Sequence, residues 1–327
     1  MRVAVLGSNS FAGRDFVDLL LERGDADILG ISRSPEAAAT FLPYADRPRD
    51  RLRYRRLDLN DQFEDVAAEL DAFRPHYVVN YAAQGDDAAS WSHPADFLRT
   101  NCESLARLVD HLKGRDWLRR FLQISSSGVY GNQARTLTEE SGLEPASPYG
   151  VSKAAADMLL SAYHANYGFP AQIVRPPNLY GPYQHLYRII PKSIILLKRG
   201  QVIELHGGGH AVRSYLFVRD ASEAVLTVLS SGKSGAAYNL AASEAHSIRE
   251  LVAICCELLE TDFAAATRDV PDRRGQQSAQ DLDVTKIRAL GWVPRVSLRE
   301  GIGTVVRWIE RCWSELAHEP LEYRHQR

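Results

Sequence analysis

The sequence predicts an α/β fold: one doubly wound parallel sheet with a smaller region grafted on its C-terminal side. Three observations carry that expectation. Short apolar β-type runs alternate with helix-patterned stretches through the first half. Those runs are apolar throughout, so the strands need cover on both faces. Right-handed crossovers then place helices on both sides of the sheet. The 327 residues suffice for one large core or two smaller ones.

The elements follow in order. "RVAVLG" reads as the first strand, and "FVDLLLERG" as a helix stopped by Gly24. "DILGIS", "YRRLDL", "YVVNYAA" and "FLQISSS" read as further strands. Between them "FEDVAAELDAF" and "FLRTNCESLARLVDHL" have helical spacing. "AQIVRPPNLYG" is a strand running into a loop, and "LFVRDASEAVLTVLSSG" a strand end followed by a helix. "SIRELVAICCELL" and "LREGIGTVVRWIERCW" are amphipathic helices. Pro, Gly and His cluster around 176–213, which suits a ligand-facing region and equally suits connecting loops. The polar tail "HEPLEYRHQR" is expected to be mobile.

Composition narrows the class. The net charge of -2 gives no general attraction to nucleic acid or an anionic membrane. No apolar run nears the ~20 residues of a membrane span. The start, "MRVAVLG", lacks a charged region followed by an apolar one, so no secretory signal is read there. The four cysteines show no metal spacing; Cys255 and Cys256 are neighbours on a helix, expected to point to different faces. A cytoplasmic protein without a metal site is expected.

Two stretches carry chemistry. In "VAVLGSNSFAG", Gly7 and Gly13 stand where the outer glycines of a dinucleotide-binding turn belong, and Ser10 holds the middle place. A strand, a small-residue turn and a helix N-terminus together offer unpaired N–H groups to a pyrophosphate. Ser10 is small, and its hydroxyl can donate to a phosphate oxygen. Alone, the turn fits a ligand-free connection equally well. In "SPYGVSKAAADMLL", Ser147 can cap a helix and Pro148 suits its first position. Tyr149 and Lys153 then share a face one turn apart. An ammonium there favours the phenolate and lowers the tyrosine pKa. Such a pair can take a proton from an alcohol while hydride leaves its carbon. Upstream, "LQISSSGVYG" ends a strand in hydroxyls, one of which can hold the reacting oxygen.

With these pieces in order, the chain resembles the extended short-chain dehydrogenase/reductases, in the nucleotide-sugar epimerase/dehydratase group. The resemblance runs through the Gly7–Gly13 turn, Asp58-Leu59, "NYAAQ", "SSSGVYG", Tyr149 with Lys153, "RPPNLYGPYQ", "GGGHAVRSYLFVRDASEAV" and "LGWVPRVSLREGI". It implies a Rossmann dinucleotide domain over 1–175 and a mainly nucleotide-sugar-binding region over 176–327, with segments near 215–245 returning to the first. It implies that Gly7, Ser10, Phe11 and Gly13 hold the cofactor pyrophosphate. Asp58 and Leu59 would border the adenine, and Ala82 and Ala83 would line the cleft beside Tyr149 and Lys153. Ser126 is the catalytic hydroxyl it implies, with Gln84 and Ser127 on the substrate. Asn178 and Arg213 match positions that hold a sugar-nucleotide diphosphate, and Arg188, Lys192 and Arg273 are weaker candidates. Helices over 94–113 and 149–166 could build a homodimer contact or be buried within one chain.

Cofactor and reaction are read from two absences. Strand "DILGIS" is followed by Arg33, and Ser32 and Arg33 stand where a carboxylate would bind the ribose 2′-hydroxyl of NAD. A guanidinium suits a 2′-phosphate, which leans the NAD(P) expectation towards NADP. Dehydratases of the group carry a glutamate where this chain has Gly128, so no base stands there to remove the C5 proton. The expected activity is therefore a nucleotide-sugar 4-epimerase passing through a 4-keto sugar. The alternatives are a nucleotide-sugar 4,6-dehydratase, towards which "GGGHAVRS" and "RRGQQ" point, and an NADPH-dependent 4-keto-sugar reductase. A non-catalytic nucleotide-sensing module would have no need of Tyr149 and Lys153.

Overall fold

The computed structural model describes residues 1–271 and 281–325. Its strands are β1 (Arg2–Leu6), β2 (Asp27–Ser32), β3 (Leu52–Arg56), β4 (Tyr77–Asn80), β5 (Arg120–Ile124), β6 (Ala171–Arg175), β7 (Asn178–Tyr180), β8 (Ile203–His206), β9 (Val212–Phe217), β10 (Ala237–Asn239), β11 (Ala245–Ser247) and β12 (Thr267–Val270). Seven of them form one parallel sheet in the order β10-β6-β5-β4-β1-β2-β3. The order reverses between β1 and β4. Crossovers on either side of that point run to opposite faces, which leaves a crevice beyond the carboxyl ends of those two strands.

The middle of the sheet is dry. Val3, Ala4, Val5 and Leu6 of β1 and Val78 and Val79 of β4 are wholly buried, consistent with cover on both faces. The helix Phe11–Arg23 starts at Ser10, whose hydroxyl accepts from Gly13 N–H at 3.1 Å, and stops at Gly24, with φ 69°. It packs on the helix Val218–Ser231 through apolar Phe16, Leu20, Val225 and Val228. Its buried Asp15 and Asp18 meet Arg219 from that second helix.

A second core gathers beside the carboxyl ends of the sheet. The helices Ile189–Lys198, Ile248–Leu258 and Leu298–Arg311 bury Ile194, Leu251, Val252 and Ile302 against one another. Cys255 and Cys256 are both buried there, at 0% and 1% exposure. A three-stranded sheet, β11-β9-β7, and a two-stranded one, β12-β8, edge this core. Capping boxes at Ser247–Glu250 and Ser297–Glu300 start two of its helices.

The structure departs from the sequence expectations in three places. The stretch expected as one helix over "FLRTNCESLARLVDHL" is broken: Pro94–Leu98, a wide turn over Arg99–Glu103, then Ser104–Leu112. The wide turn aims Asn101 inward, where its side chain bonds both backbone groups of Gln84 and the Ser152 hydroxyl. The third strand ends at Arg56, which leaves Asp58 and Leu59 in the following loop. The tail expected to be mobile packs back on the molecule: Leu321 is buried and His325 bonds Asp96. Among the described residues no helix is long and apolar enough to cross a membrane.

Candidate active site

The crevice at the β1/β4 reversal is built first by close approach. Gly7 has φ 72°, and a Cβ there would lie 2.5 Å from the backbone nitrogen of Ala82. A Cβ at Gly13 would lie 2.3 Å from the Gly7 carbonyl oxygen. Gly7 is therefore required by the packing of the turn against the end of β4, and Gly13 by the packing of the helix start against the turn. The turn leaves a shallow cradle of backbone at the start of a helix, with Phe11 its first residue. First-turn N–H groups lack partners within the helix, so the turn offers donors suited to an anion such as a pyrophosphate. Ser10 caps the helix by accepting from Gly13, which leaves its O–H to donate outward.

Asn9 was not singled out by sequence, and it orders the neighbouring loop. Its N–H donates to Ser32 Oγ at 2.9 Å, and Nδ2 donates to Ser34 Oγ at 2.8 Å and to the Pro35 carbonyl at 2.7 Å. Its Oδ1 accepts from Ala37 N–H at 3.0 Å. Ser32 is thus buried beneath the turn, while Arg33 follows it at the rim. Arg56 Nε donates to the Arg33 carbonyl at 3.2 Å, which brings a second guanidinium to the same corner. Asp58 Oδ1 accepts from Asn60 N–H at 2.7 Å, and the Leu59 and Ala82 side chains pack on the same apolar cluster. Ala83 comes next in the same loop, partly exposed.

Tyr149 and Lys153 lie one turn apart near the start of the helix Pro148–Tyr167, which Ser147 caps. Tyr149 faces Ser126, whose hydroxyl also accepts from Gly128 N–H at 3.0 Å. Ser127 is next along the chain, its N–H donating to the Pro176 carbonyl at 3.0 Å. Burial pushes the Tyr149 phenol above its usual range; the Ser126 hydroxyl and the Arg188 guanidinium act against this. The expectation that Lys153 lowers the tyrosine is corrected by this arrangement. Lys153 is 4% exposed and donates from Nζ to the Ile124 carbonyl at 2.9 Å. Burial holds it down to about 8, so its own charge is what the site must protect.

Arg188, a weaker diphosphate candidate from sequence, is the cation that acts on Tyr149. It donates to the Gly85 carbonyl at 3.0 Å and stands 3.6 Å from Asp86. No spacing in the sequence signals this, because Arg188 reaches the site from the loop before a different helix. Asp87 also faces Tyr149 and accepts from the Ser147 hydroxyl. Glu139 and Glu140 are engaged elsewhere, with Asn239 N–H and Lys286 respectively. A Cβ built on Gly128 would lie 3.9 Å from Tyr149 Cε1 and 3.3 Å from Ser126 Oγ. The glycine thus opens space directly beside the phenol.

Gln84 is 5% exposed, held by Asn101. Asn178 and Arg213 come from neighbouring strands β7 and β9, and Asn178 Nδ2 lies 3.4 Å from the Ser214 carbonyl. Lys192 stands near Glu204 of β8, on the side of the two-stranded sheet. Arg273 and the "RRGQQ" stretch lie outside the described residues.

The tail completes one wall. Tyr323 sits edge-on to Tyr187 with ring centroids 5.2 Å apart, and His325 stacks on His93 at 4.0 Å. His325 also faces Phe97, whose ring meets Tyr149 edge-on at 6.2 Å. His93, Asp96 and His325 bring three donor atoms within 4.8 Å of one another. The two imidazole planes lie 3° from parallel, so both lone pairs cannot aim at one ion without a ring turning.

A doubly wound sheet, a glycine turn at its reversal and a buried tyrosine–lysine helix beside it define a nucleotide-cofactor enzyme of the dehydrogenase/reductase type. The chain belongs to the NAD dependent epimerase/dehydratase family, whose model matches residues 3–241. It is similar to the dTDP-glucose 4,6-dehydratase of Streptomyces niveus, 33% identical over 338 residues, covering 98% of this chain and 97% of that one. Among solved structures, the dTDP-glucose 4,6-dehydratase of Streptomyces venezuelae with NAD and dTDP bound matches with a TM-score of 0.87 and 32% identity, over 95% of this chain and 97% of that one. The UDP-glucose 4-epimerase of Thermotoga maritima with UDP-glucose matches with a TM-score of 0.85 and 26% identity, over 96% of this chain and 100% of that one. These relatives favour the dehydratase alternative over the epimerase expectation, with epimerases also among the structural neighbours.

The crowding at the turn is testable. Gly7→Ala should abolish cofactor binding in an equilibrium titration and lower the melting temperature. Gly24→Ala is the control: it has a similar φ of 69° but nothing within 4 Å of the new Cβ. It should cost only the left-handed penalty, about 1–2 kcal/mol, with cofactor affinity unchanged.

Proposed function

We propose that this chain oxidises the C4 hydroxyl of a nucleotide-diphosphate sugar to a 4-keto sugar. The observation that carries this reading is Tyr149, half-buried beside the Ser126 hydroxyl at the carboxyl end of β5. Tyr149 removes the hydroxyl proton and holds it for return. Ser126 fixes the reacting oxygen, and Arg188 favours the phenolate. The bound nicotinamide accepts hydride from the sugar carbon and can give it back. Asn178 and Arg213, on adjacent strands, hold the diphosphate, and the region 176–327 supplies most of the sugar-nucleotide contacts, with the dinucleotide held mainly by 1–175.

Two fates of the 4-keto sugar each have an observation behind them. The similarity to 4,6-dehydratases favours loss of water across C5 and C6. Gly128 favours return of hydride and epimerisation, because it offers no base beside Tyr149. For the dehydratase reading, Asp87 is the acidic group that faces Tyr149. Ser32, Arg33 and Arg56 support NADP over NAD, in contrast to the NAD found in the relatives. Exposed Leu98, Val151 and Met158, at 43%, 45% and 64%, support a homodimer across the helices Pro94–Leu98 and Pro148–Tyr167. Val151 and Met158 are seven residues apart, on one helix face.

Tyr149→Phe should lower turnover by ~10²–10⁴-fold with cofactor affinity nearly unchanged; a near-normal rate would remove Tyr149 from the mechanism. Arg33→Asp should weaken NADP much more than NAD in a binding titration, and equal losses would show that Arg33 does not read the ribose. In deuterated water, a panel of nucleotide sugars separates the two fates. Epimerisation gives a product of unchanged mass, inverted at C4 and without deuterium at C5. Dehydration gives a product lighter by one water that carries deuterium.

A further inference from the structure

We propose that Asp157, anchored by Arg175, is a positioning residue that keeps Lys153 charged behind Tyr149. The inference rests on Tyr149 being the acid/base group and adds a residue that acts through its lysine. Tyr149, Lys153 and Asp157 succeed one another at single-turn spacing on one face of the helix Pro148–Tyr167. Lys153 is 4% exposed and Asp157 1%. The hydrogen bond that Lys153 makes goes to a neutral group, the Ile124 carbonyl. An ammonium so placed is driven towards its neutral form unless an anion opposes the loss of water.

The groups facing Lys153 are few. Its own helix presents Asp157, the wide turn over Arg99–Glu103 presents Cys102, and β5 presents the Ile124 carbonyl. Asp157 is the carboxylate among them, and Cys102 is pushed up by burial, which keeps its thiol neutral. Arg175 does not saturate that carboxylate. Its Nε donates to Asp157 Oδ2 at 2.9 Å, but its Nη1 turns away to the Tyr130 hydroxyl at 2.6 Å and towards the Glu139 carbonyl. The arginine leaves the buried Asp157 Oδ1 free of its fork, and the neighbouring Ser125 hydroxyl lies beside the carboxylate and favours its charged form. A bidentate fork would have spent both oxygens on the arginine. Here one bond anchors the carboxylate, and its remaining charge acts on the helix side. Burial of Lys153 is still the larger influence, and Asp157 is the first influence named against it.

The test reads Lys153 directly. The chain has six lysines, so a lysine-labelled protein gives few side-chain NMR signals, and Lys153→Met assigns the one at issue. Asp157→Asn should move the Lys153 titration at least one unit lower. The ammonium is lost as pH rises through its pKa, so the alkaline limb of kcat should move the same way, costing about fivefold at pH 8 for the first unit. Asp157→Glu should restore much of both. Arg175→Met should move the titration upward, because the carboxylate then acts without its anchor's opposing charge. This second variant keeps the inference testable if Asp157→Asn does not fold. An unchanged Lys153 midpoint in the folded variants, or a shift of the same sign in both, overturns it. The NMR titration needs no turnover, so it stands or falls apart from the assignment of the reaction.

Discussion

A lysine and an aspartate taken out of water on one helix face are the constraint on which the rest of this site depends. The helix Pro148–Tyr167 buries Lys153 and Asp157 almost completely, and its Tyr149 phenol is raised by the same loss of solvent. Buried charge of this kind survives only where neighbouring elements deliver partners. The sheet delivers them from its strand ends. β5 gives the Ile124 carbonyl to Lys153, and β6 gives Arg175 to Asp157. β10 gives Asn239, whose Oδ1 accepts from the Tyr130 hydroxyl at 2.7 Å, and that hydroxyl in turn accepts from Arg175. The strand order β10-β6-β5 is thus also the order in which this network is assembled. Moving any one of these strands would leave a buried ion or carbonyl without its partner.

The other half of the crevice is held by contact distance instead of charge. The Gly7 turn lies directly against the backbone leaving β4, and the same loop carries Gln84 to Asn101. Asn101 reaches Ser152 on the catalytic helix at 2.8 Å. One polar side chain therefore couples the cofactor-side loop to the helix of Tyr149, and the local widening over Arg99–Glu103 aims it there. A regular helix would direct residue 101 differently and leave the buried Gln84 backbone unpaired.

The fold was legible because its signals are local. Apolar strands, the Ser147 and Gly24 helix boundaries and the glycine spacing each act within a few residues, and the structure places them where the pattern does. Tyr149, Lys153 and Ser126 were legible for the same reason: two share a helix face and the third ends the preceding strand. The features that were missed come from far along the chain. Arg188 arrives from the loop before another helix, and Asn9 acts on a loop more than twenty residues on. The tail looked mobile because its composition is polar. Its aromatic and imidazole rings nevertheless find Tyr187, His93 and Phe97, which composition does not reveal. The lysine's effect on the tyrosine was misjudged because spacing gives adjacency without giving burial. Burial sets the direction for both groups here.

Gly128 shows why the family does not by itself choose the reaction. Its backbone φ is outside the left-handed region, and a Cβ there meets nothing closer than 3.3 Å. Unlike Gly7 or Gly13, it is therefore not demanded by the turn. A side chain there needs the Ser126 hydroxyl to give by a few tenths of an ångström, and the position faces the Tyr149 phenol. A residue unconstrained by folding at such a place is set by the reaction or by the shape of the sugar. On the proposed function, the scaffold around it, from the Gly7 turn to the buried lysine, suits any chemistry that passes through a 4-keto sugar. The fate of that ketone depends on which proton acceptor, if any, the few side chains around Gly128 present to C5. That small space, more than the sheet or the cofactor turn, separates this chain's possible reactions.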